Sequence, residues 1–341
     1  MKILSAIDIP WNSGLAAYAF DQALALRAAG HAVVFACPPG SAAEAFAARE
    51  GFGSLPLPGR KDHLRLPLAV WRLRQTAAAG QFDAVCAHTG RTQTIGALLG
   101  LPLVRVKADV RVPSAGFAQR AARRTVAASE YIKGLYWRAG LGEGVRVIRQ
   151  GIDLPPLTPP RPGGKIKIGL LGRLDPVKGH EVFLKAAALL LGGGAAAEFH
   201  IAGYEANLKY ADLLRRAEDL EIDASVVFHG RVDGPFKFMA GCDIGVIASL
   251  GSEAVSRAAL EWLAAGRPLV STSAGSLPEY VDADWLVPPG DHAALAEKLG
   301  RLLADPAAAA ALGAANRARA AAEFSTAAFA AATVKLFEEL A

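Results

Sequence analysis

The feature that most constrains this chain is a rhythm, in which aliphatic runs of strand length alternate with alanine-rich stretches of helical length. "KILSAI" leads through the loop "DIPWNSG" into "LAAYAFDQALALRAAG", closed by Gly30, and then into "AVVFAC", which makes one βαβ unit. Apolar runs at "FDAVCAH", "PLVRVK", "RTVAAS" and "VRVI" continue the pattern. Next comes "PPLTPPRPGGK", with seven prolines and glycines in eleven residues, which reads as an interdomain linker and puts a boundary near residue 160. The rhythm restarts with "IKIGLL", the loop "GRLDPVKGH" and the helix "EVFLKAAALLL", then runs on through "EFHIAG", "SVVFHG", "DIGVIAS", "PLVST" and "WLVPP". Such alternation predicts an α/β fold of two doubly wound parallel sheets, with ligand sites at the carboxyl ends of the strands. Two domains of this kind in tandem predict a cleft between them. The ending "RARAAAEFSTAAFAAATVKLFEELA" reads as helix, and propensity alone assigns it to neither domain.

Composition removes several function classes. The 341 residues are 52% hydrophobic, enough for two packed cores. Cys37, Cys86 and Cys242 are scattered within apolar runs, without CxxC or metal-ligand spacing, so buried thiols in a reducing compartment are expected. No apolar run approaches the roughly 20 residues that span a bilayer, and the chain opens directly on a strand, so the expected location is the cytoplasm.

Charge is distributed unevenly. Residues 1–160 carry 19 Lys/Arg against 10 Asp/Glu, whereas the remainder is acidic, with 18 against 22. The basic residues cluster in "GRKDHLRLPLAVWRLRQ" (Arg60, Lys61, Arg65, Arg72, Arg74) and in "QRAARR" (Arg120, Arg123, Arg124). In the first, Leu64, Leu66, Leu68, Val70, Trp71 and Leu73 are interleaved, as in helices that lie on the inner, anionic face of a membrane. A solvated face with its apolar side in the core fits the same pattern. No nucleic acid partner is expected, because neither a recognition motif nor an aromatic stacking platform accompanies the charge.

Two segments carry chemistry. In "GLLGRLDPVKGHE", Gly172 ends a strand, Arg173 and Lys178 follow, and Gly179 precedes a helix whose first amides add positive potential. Two cations and a helix start suit a diphosphate, although neither GxxxxGK[ST] nor GxGxxG is present. In "GSEAVSRAALEWLAAGRPLVST", Glu253 stands in the loop after a buried strand and Glu261 about a turn into the following helix. At roughly 100° per residue the eight-residue interval returns the second carboxylate to within about 80° of the first, so both can face one cleft. A carboxylate among Ala258, Ala259, Leu260 and Leu263 is costly to bury unless something donates hydrogen bonds to it, and sugar hydroxyls are suitable donors. The plainer alternative makes Glu253 a helix-dipole partner and Glu261 a surface residue.

Together these segments resemble retaining, metal-independent glycosyltransferases of the GT-B fold, family 4 type. "GRLDPVKGHEVFLKA", "FHIAGYE", "VVFHGRV" and "SEAVSRAALEWLAAGRPLVSTSAGSLPEYV" occur in the family's order, and Glu253 and Glu261 meet its E-x7-E signature. "WNSGLAAYAFDQALALRAAGHAV", "HTGRTQTIGALLGLPLVRVKADV" and "VRVIRQGIDL" fit its acceptor domain more loosely. The resemblance implies an acceptor domain over residues 1–160, a donor domain over 161–322 and a helix over 323–341 that packs back on the first domain. Arg173 and Lys178 would neutralise the donor's diphosphate. Glu261 would bind ribose hydroxyls, and Glu253 those of the transferred sugar, helped by amides of Ala254, Val255 and Ser256. Gly14 would admit phosphates and acceptor, His88 would face the reacting centre, and Gly172, Tyr204, Gly230 and Arg231 would lie around the nucleotide. Ala254 and Val255 stand where relatives usually have glycine and phenylalanine, and Arg257 is an extra cation that either recognises an acidic group or is simply the helix's solvent-facing residue.

The implied reaction transfers a sugar from a nucleotide diphosphate sugar to an acceptor hydroxyl with retained configuration, the leaving phosphate helping to deprotonate the acceptor. No metal or other cofactor is implied. Three charge-assisted contacts that strengthen by about 1.5–3 kcal/mol each in the transition state give roughly four to six decades of rate. "VDADW" contains Asp282-x-Asp284, the metal-binding pattern of another transferase fold, and is read as a turn. "HTGR" after its strand points by analogy to cell-envelope transferases and a lipid-linked or lipopolysaccharide acceptor. Rival readings are a nucleotide-sugar epimerase or hydrolase of the same fold, and a non-catalytic nucleotide-sugar-binding subunit.

Overall fold

The computed structural model describes residues 1–340 apart from residues 12, 63 and 159–162, so the boundary expected near residue 160 lies outside the described residues. Two units emerge, one made of 1–151 with 326–341 and the other of 152–325. In the first unit the order is β1 (Lys2–Ala6), α1 (Gly14–Ala28), β2 (Ala32–Cys37), α2 (Ala42–Glu50), β3 (Gly53–Pro56), α3 (Leu66–Ala78), β4 (Ala84–Ala87) and α4 (Gly90–Ala97). It continues with β5 (Leu103–Lys107), α5 (Phe117–Arg120), β6 (Ala122–Ala127), α6 (Glu130–Arg138) and β7 (Val145–Val147). The second unit holds β8 (Ile166–Leu171), α7 (His180–Gly192), β9 (Ala197–Ala202), α8 (Tyr210–Asp219), β10 (Val226–Gly230), α9 (Pro235–Ala240), β11 (Ile244–Ile247) and α10 (Arg257–Ala264). It ends with β12 (Leu269–Thr272), β13 (Leu286–Val287), α11 (His292–Ala304) and α12 (Pro306–Glu323), after which α13 (Thr326–Glu338) returns to the first unit.

Both sheets are parallel throughout. The strand orders are β3-β2-β1-β4-β5-β6-β7 and β10-β9-β8-β11-β12-β13, so each order reverses at one place, between β1 and β4 and between β8 and β11. Open α/β sheets bind ligands at the carboxyl ends of the strands that flank such a reversal. The central strands read as continuous apolar runs because helices cover both faces; every residue of β4 and β11 is buried. Helix starts follow capping chemistry, with Ser13, Ser41 and Ser129 accepting from first-turn amides of α1, α2 and α6, and Thr89 forming a reciprocal capping box with Thr92 on α4.

In the second unit, fully buried Trp262 presses α10 onto the sheet: a Cβ at Gly245 would lie 2.4 Å from its ring, so only glycine leaves room for the indole. The alanine-rich ending is two helices; Phe324, the C-cap of α12, donates its N–H to Ala320 O at 3.1 Å and is buried in the core. α13 packs on α1 in the first unit, with Phe329 edge-on to Tyr18 at 5.1 Å. Cys37, Cys86 and Cys242 are buried thiols outside any disulfide. Among the described residues no helix is long and apolar enough to cross a membrane.

Candidate active site

The β8/β11 reversal carries the first group of side chains. After β8 the chain turns through Gly172 and Arg173 to Asp175, whose Oδ1 accepts from Val177 N at 3.1 Å and so caps the short 3-10 turn Pro176–Lys178. Asp175 Oδ2 takes Asn207 Nδ2 at 2.8 Å and stands 2.9 Å from Arg173 Nη2. Burial opposes the charge on Asp175, but the Val177 amide, Asn207 and Arg173 outweigh it and hold the carboxyl below its ordinary range. Gly179 lies in the left-handed region at φ +71, and a Cβ there would sit 1.8 Å from Ala248 O. The start of α7 can therefore press against the end of β11 only with glycine at this position. His180, the next residue, is buried, and burial pushes its pKa down to about 4, so α7 begins on a neutral imidazole.

From the other side of the reversal comes the loop after β11. Ser249 Oγ donates to Glu253 Oε1 at 2.6 Å, and Lys178 Nζ donates to the same oxygen at 2.6 Å. Glu253 is itself buried, and its backbone is held by Ser276 N, which donates to Glu253 O at 2.8 Å. Lys178, Ser249 and Glu253, with Gly172, Ser256 and Ala258, line a small cleft at the carboxyl ends of β8 and β11.

Glu261 lies on α10, where Arg257 Nε donates to its Oε1 at 3.1 Å. Burial raises its pKa to about 7, against the pull of Arg257. Arg257 is therefore not simply a solvent-facing residue: it is the half-exposed partner of the carboxylate one turn on, because i and i+4 share a helix face. Glu253 lines the cleft, whereas Glu261 is not among its lining residues and pairs with Arg257, so the two carboxylates have different cations. Ala254, Val255 and Ser256, between them, are all buried.

The remaining sequence-derived candidates fall at other strand ends. Gly172 N donates to Ala202 O at 2.9 Å, Leu174 N to Tyr204 O at 2.9 Å and Gly203 N to Gly230 O at 2.9 Å, so backbone bonds tie together the carboxyl ends of β8, β9 and β10. Tyr204 and Arg231 are exposed there. In the first unit, Gly14 opens α1, and His88 follows β4 at the β1/β4 reversal, its Nε2 3.1 Å from Ser5 Oγ. Burial, aided by Arg105, pushes His88 down to about 3, which makes it a neutral imidazole. Asp282 is 3.4 Å from Arg319 in a short 3-10 turn, and no cluster of three or more metal-ligating side chains occurs among the described residues.

Sequence reasoning missed Asp175, Asn207 and Ser249. The Asp-Pro step of "LDPVK" carries a capping signal that points to Asp175; nothing local marks Asn207 or Ser249, which reach their partners only through the fold.

Residues 165–305 match the family model described as Glycosyl transferases group 1, and residues 12–155 match that of Glycosyltransferase Family 4. The chain belongs to the group 1, family 4 glycosyltransferases. Among curated relatives of this glycosyltransferase-family chain, the putative colanic acid biosynthesis glycosyltransferase WcaL of Escherichia coli (strain K12) is 30% identical over 170 residues. That match covers 46% of the chain and 41% of the relative, so it spans less than half of the relative's length. Among solved structures, Anabaena Alr3699/HepE in complex with UDP has a TM-score of 0.86 at 20% identity, covering 99% of this chain and 100% of that one. The lipopolysaccharide outer core galactosyltransferase WaaB, in its apo form, has a TM-score of 0.78 at 14% identity, covering 100% and 99%. These likenesses establish the GT-B fold, two parallel-sheet Rossmann-like domains of seven and six strands.

Proposed function

We propose that this protein is a retaining glycosyltransferase that moves a sugar from a nucleotide diphosphate sugar to an acceptor hydroxyl, in the assembly of a cell-surface polysaccharide or lipopolysaccharide. The observation that carries the reading is the Lys178–Glu253 pair lining the cleft at the β8/β11 reversal. A cation and a hydroxyl-accepting carboxylate on one small cleft suit the two ends of a donor, its diphosphate and its sugar. Family membership supports the reading, as do the WcaL and WaaB names and the solution of Alr3699/HepE with UDP and with UDP-glucose.

In this reading Arg173 and Lys178, with the first amides of α7, meet the charge that develops on the departing diphosphate, so no metal is required. Such preorganised cations act because they need no reorientation when the bond breaks. Glu253 accepts from hydroxyls of the transferred sugar and Glu261 from the ribose. The leaving phosphate takes the acceptor's proton on the face it departs from. His88 is a neutral imidazole in this reading, so it positions or polarises and does not supply a full charge. The acceptor is a glycan or glycolipid, and the basic segment around α3 touches the inner face of an anionic membrane.

The test is release of nucleotide from a panel of UDP-, GDP- and ADP-sugars, with and without chelator, followed by NMR of the product's anomeric configuration. Release that depends on acceptor, resists chelation and keeps the donor's configuration is expected. An inverted product would overturn the retaining mechanism; binding without release from any donor would favour a non-catalytic subunit.

A further inference from the structure

The β1/β4 reversal of the first unit holds a second charged group that the donor chemistry does not use. Asp8, just past β1, is fully buried, and its Oδ1 accepts from Thr89 Oγ1 at 2.7 Å and from Arg60 Nη2 at 3.3 Å. Arg91 Nη1 lies 3.6 Å from Asp8 Oδ2 and donates to Pro58 O at 2.8 Å. One carboxylate thus faces two guanidinium groups, leaving one positive charge in excess. The Nε and Nη2 of Arg91 are buried without any hydrogen-bond partner. Buried guanidinium donors left unpaired are costly, and planar forks of this kind match the oxygens of a phosphate. Thr89 directly follows His88, so this group stands one residue from the side chain expected to face the reacting centre.

The residues that follow Arg60 add an apolar element. Leu64 is 95% exposed, Leu68 50% and Trp71 57%, all three on the segment whose start Arg60 and Pro58 clamp to the sheet. Leu68 and Trp71 are three apart and share a face of α3, while Arg65 and Arg72 flank them. Exposed large apolar side chains interleaved with cations suit an amphiphile and not a free ion.

We propose that Arg60 and Arg91, held in place by Asp8 and Thr89, form a phosphate subsite for the acceptor, and that this acceptor is an amphiphile whose apolar chain runs along Leu64, Leu68 and Trp71. The proposal deepens the transferase reading, since it names the acceptor class of the same reaction, yet its test does not require turnover. Asp8 is the positioning residue: it fixes the forks while cancelling only half of their charge.

Binding of farnesyl phosphate, farnesol and inorganic phosphate to the full chain, followed by tryptophan fluorescence and calorimetry, tests it. Farnesyl phosphate should bind, and Arg91→Gln or Arg60→Gln should weaken it roughly tenfold or more, as loss of a charge-assisted contact does. Nucleotide affinity, read in the same samples, should not move. Arg91→Lys, which keeps the charge and loses the fork, should restore only part of the binding, and thermal melts would show that each variant is folded. If farnesol binds as tightly as farnesyl phosphate, or the arginine variants bind it equally well, the phosphate subsite is wrong. Inorganic phosphate binding as tightly as farnesyl phosphate would overturn the amphiphilic acceptor. Failure of the transferase reading would appear separately, as absence of nucleotide release in wild type.

Discussion

Lys178 Nζ and Glu253 Oε1 are 2.6 Å apart across 75 residues of sequence, and Ser249 Oγ shares the same oxygen. Under the proposed function, a donor that reaches Lys178 with its diphosphate would compete with Glu253 for this ammonium group and release Glu253 toward sugar hydroxyls. Lys178→Ala should lower kcat by about two to three decades, the usual cost of deleting one transition-state donor, with a much smaller change in donor KM. The same substitution leaves buried Glu253 with Ser249 alone, at a cost of about 1–3 kcal/mol that a thermal melt would register. Steady-state kinetics showing wild-type kcat would remove Lys178 from the mechanism.

Glu261 predicts a pH dependence with two opposite signs. Its folded pKa, about 7 against an ordinary 4.5, means that the folded protein favours the proton. Its contribution to stability is thus complete below pH 4.5 and is lost as pH rises through about 7. Under the proposed function ribose hydroxyls donate to Glu261 and need its carboxylate, so donor affinity should instead rise through that range, by up to about tenfold per pH unit on the acid side. Calorimetric titration between pH 5.5 and 8.5 with an intact nucleotide sugar, which has no titrating phosphate in this window, checks this. Glu261→Gln should bind weakly and flatten the profile; a profile that survives that substitution would assign the titration elsewhere.

Much of this site was legible because its residues violate a pattern. Glu253 and Glu261 are carboxylates amid alanine and leucine, and Arg173 and Lys178 follow the apolar strand end "IGLL". The strand rhythm was equally plain where helices cover both faces. It failed at β3, whose "GSLP" has no aliphatic run because this four-residue edge strand pairs only with β2 and is largely exposed. The Arg60–Asp8 contact, 52 residues apart, and the sharing of Glu253 by Lys178 and Ser249 depend on which strands become neighbours. Local sequence carries no mark of such pairings. The Arg257–Glu261 pair is the exception, since the i, i+4 spacing on one helix makes it available from local sequence.

Gly179 and Gly172 stand in the same loop but should respond oppositely to alanine. At Gly179 a Cβ would meet Ala248 O at 1.8 Å in a left-handed backbone, whereas at Gly172 the nearest atom is Lys178 Cγ at 3.8 Å. Gly179→Ala should cost about 2–5 kcal/mol from strain and backbone displacement together. It should also disturb Lys178 by shifting the start of α7. Gly172→Ala should leave the melting temperature within a degree or two of wild type. Equal melting temperatures for the two variants would contradict the close approach of α7 and β11.

α3 buries Leu73 and Ala77 while Leu68 and Trp71 remain exposed, so its core-facing side is narrow and a second apolar face is left in solvent beside Arg65, Arg72 and Arg74. A helix that merely packed its apolar side inward would not carry Trp71 at 57% exposure. The protein should float with vesicles that contain anionic lipid and not with neutral ones. Neutralising Arg65, Arg72 and Arg74 should abolish flotation, since each cation near such a surface contributes about 1 kcal/mol. Trp71→Ala should weaken flotation with little loss of stability, because more than half of the residue is exposed. Raising salt to about 1 M, where the Debye length is near 3 Å, should remove the electrostatic share and leave a Trp71-dependent remainder. Flotation that is indifferent to lipid charge would refute this contact.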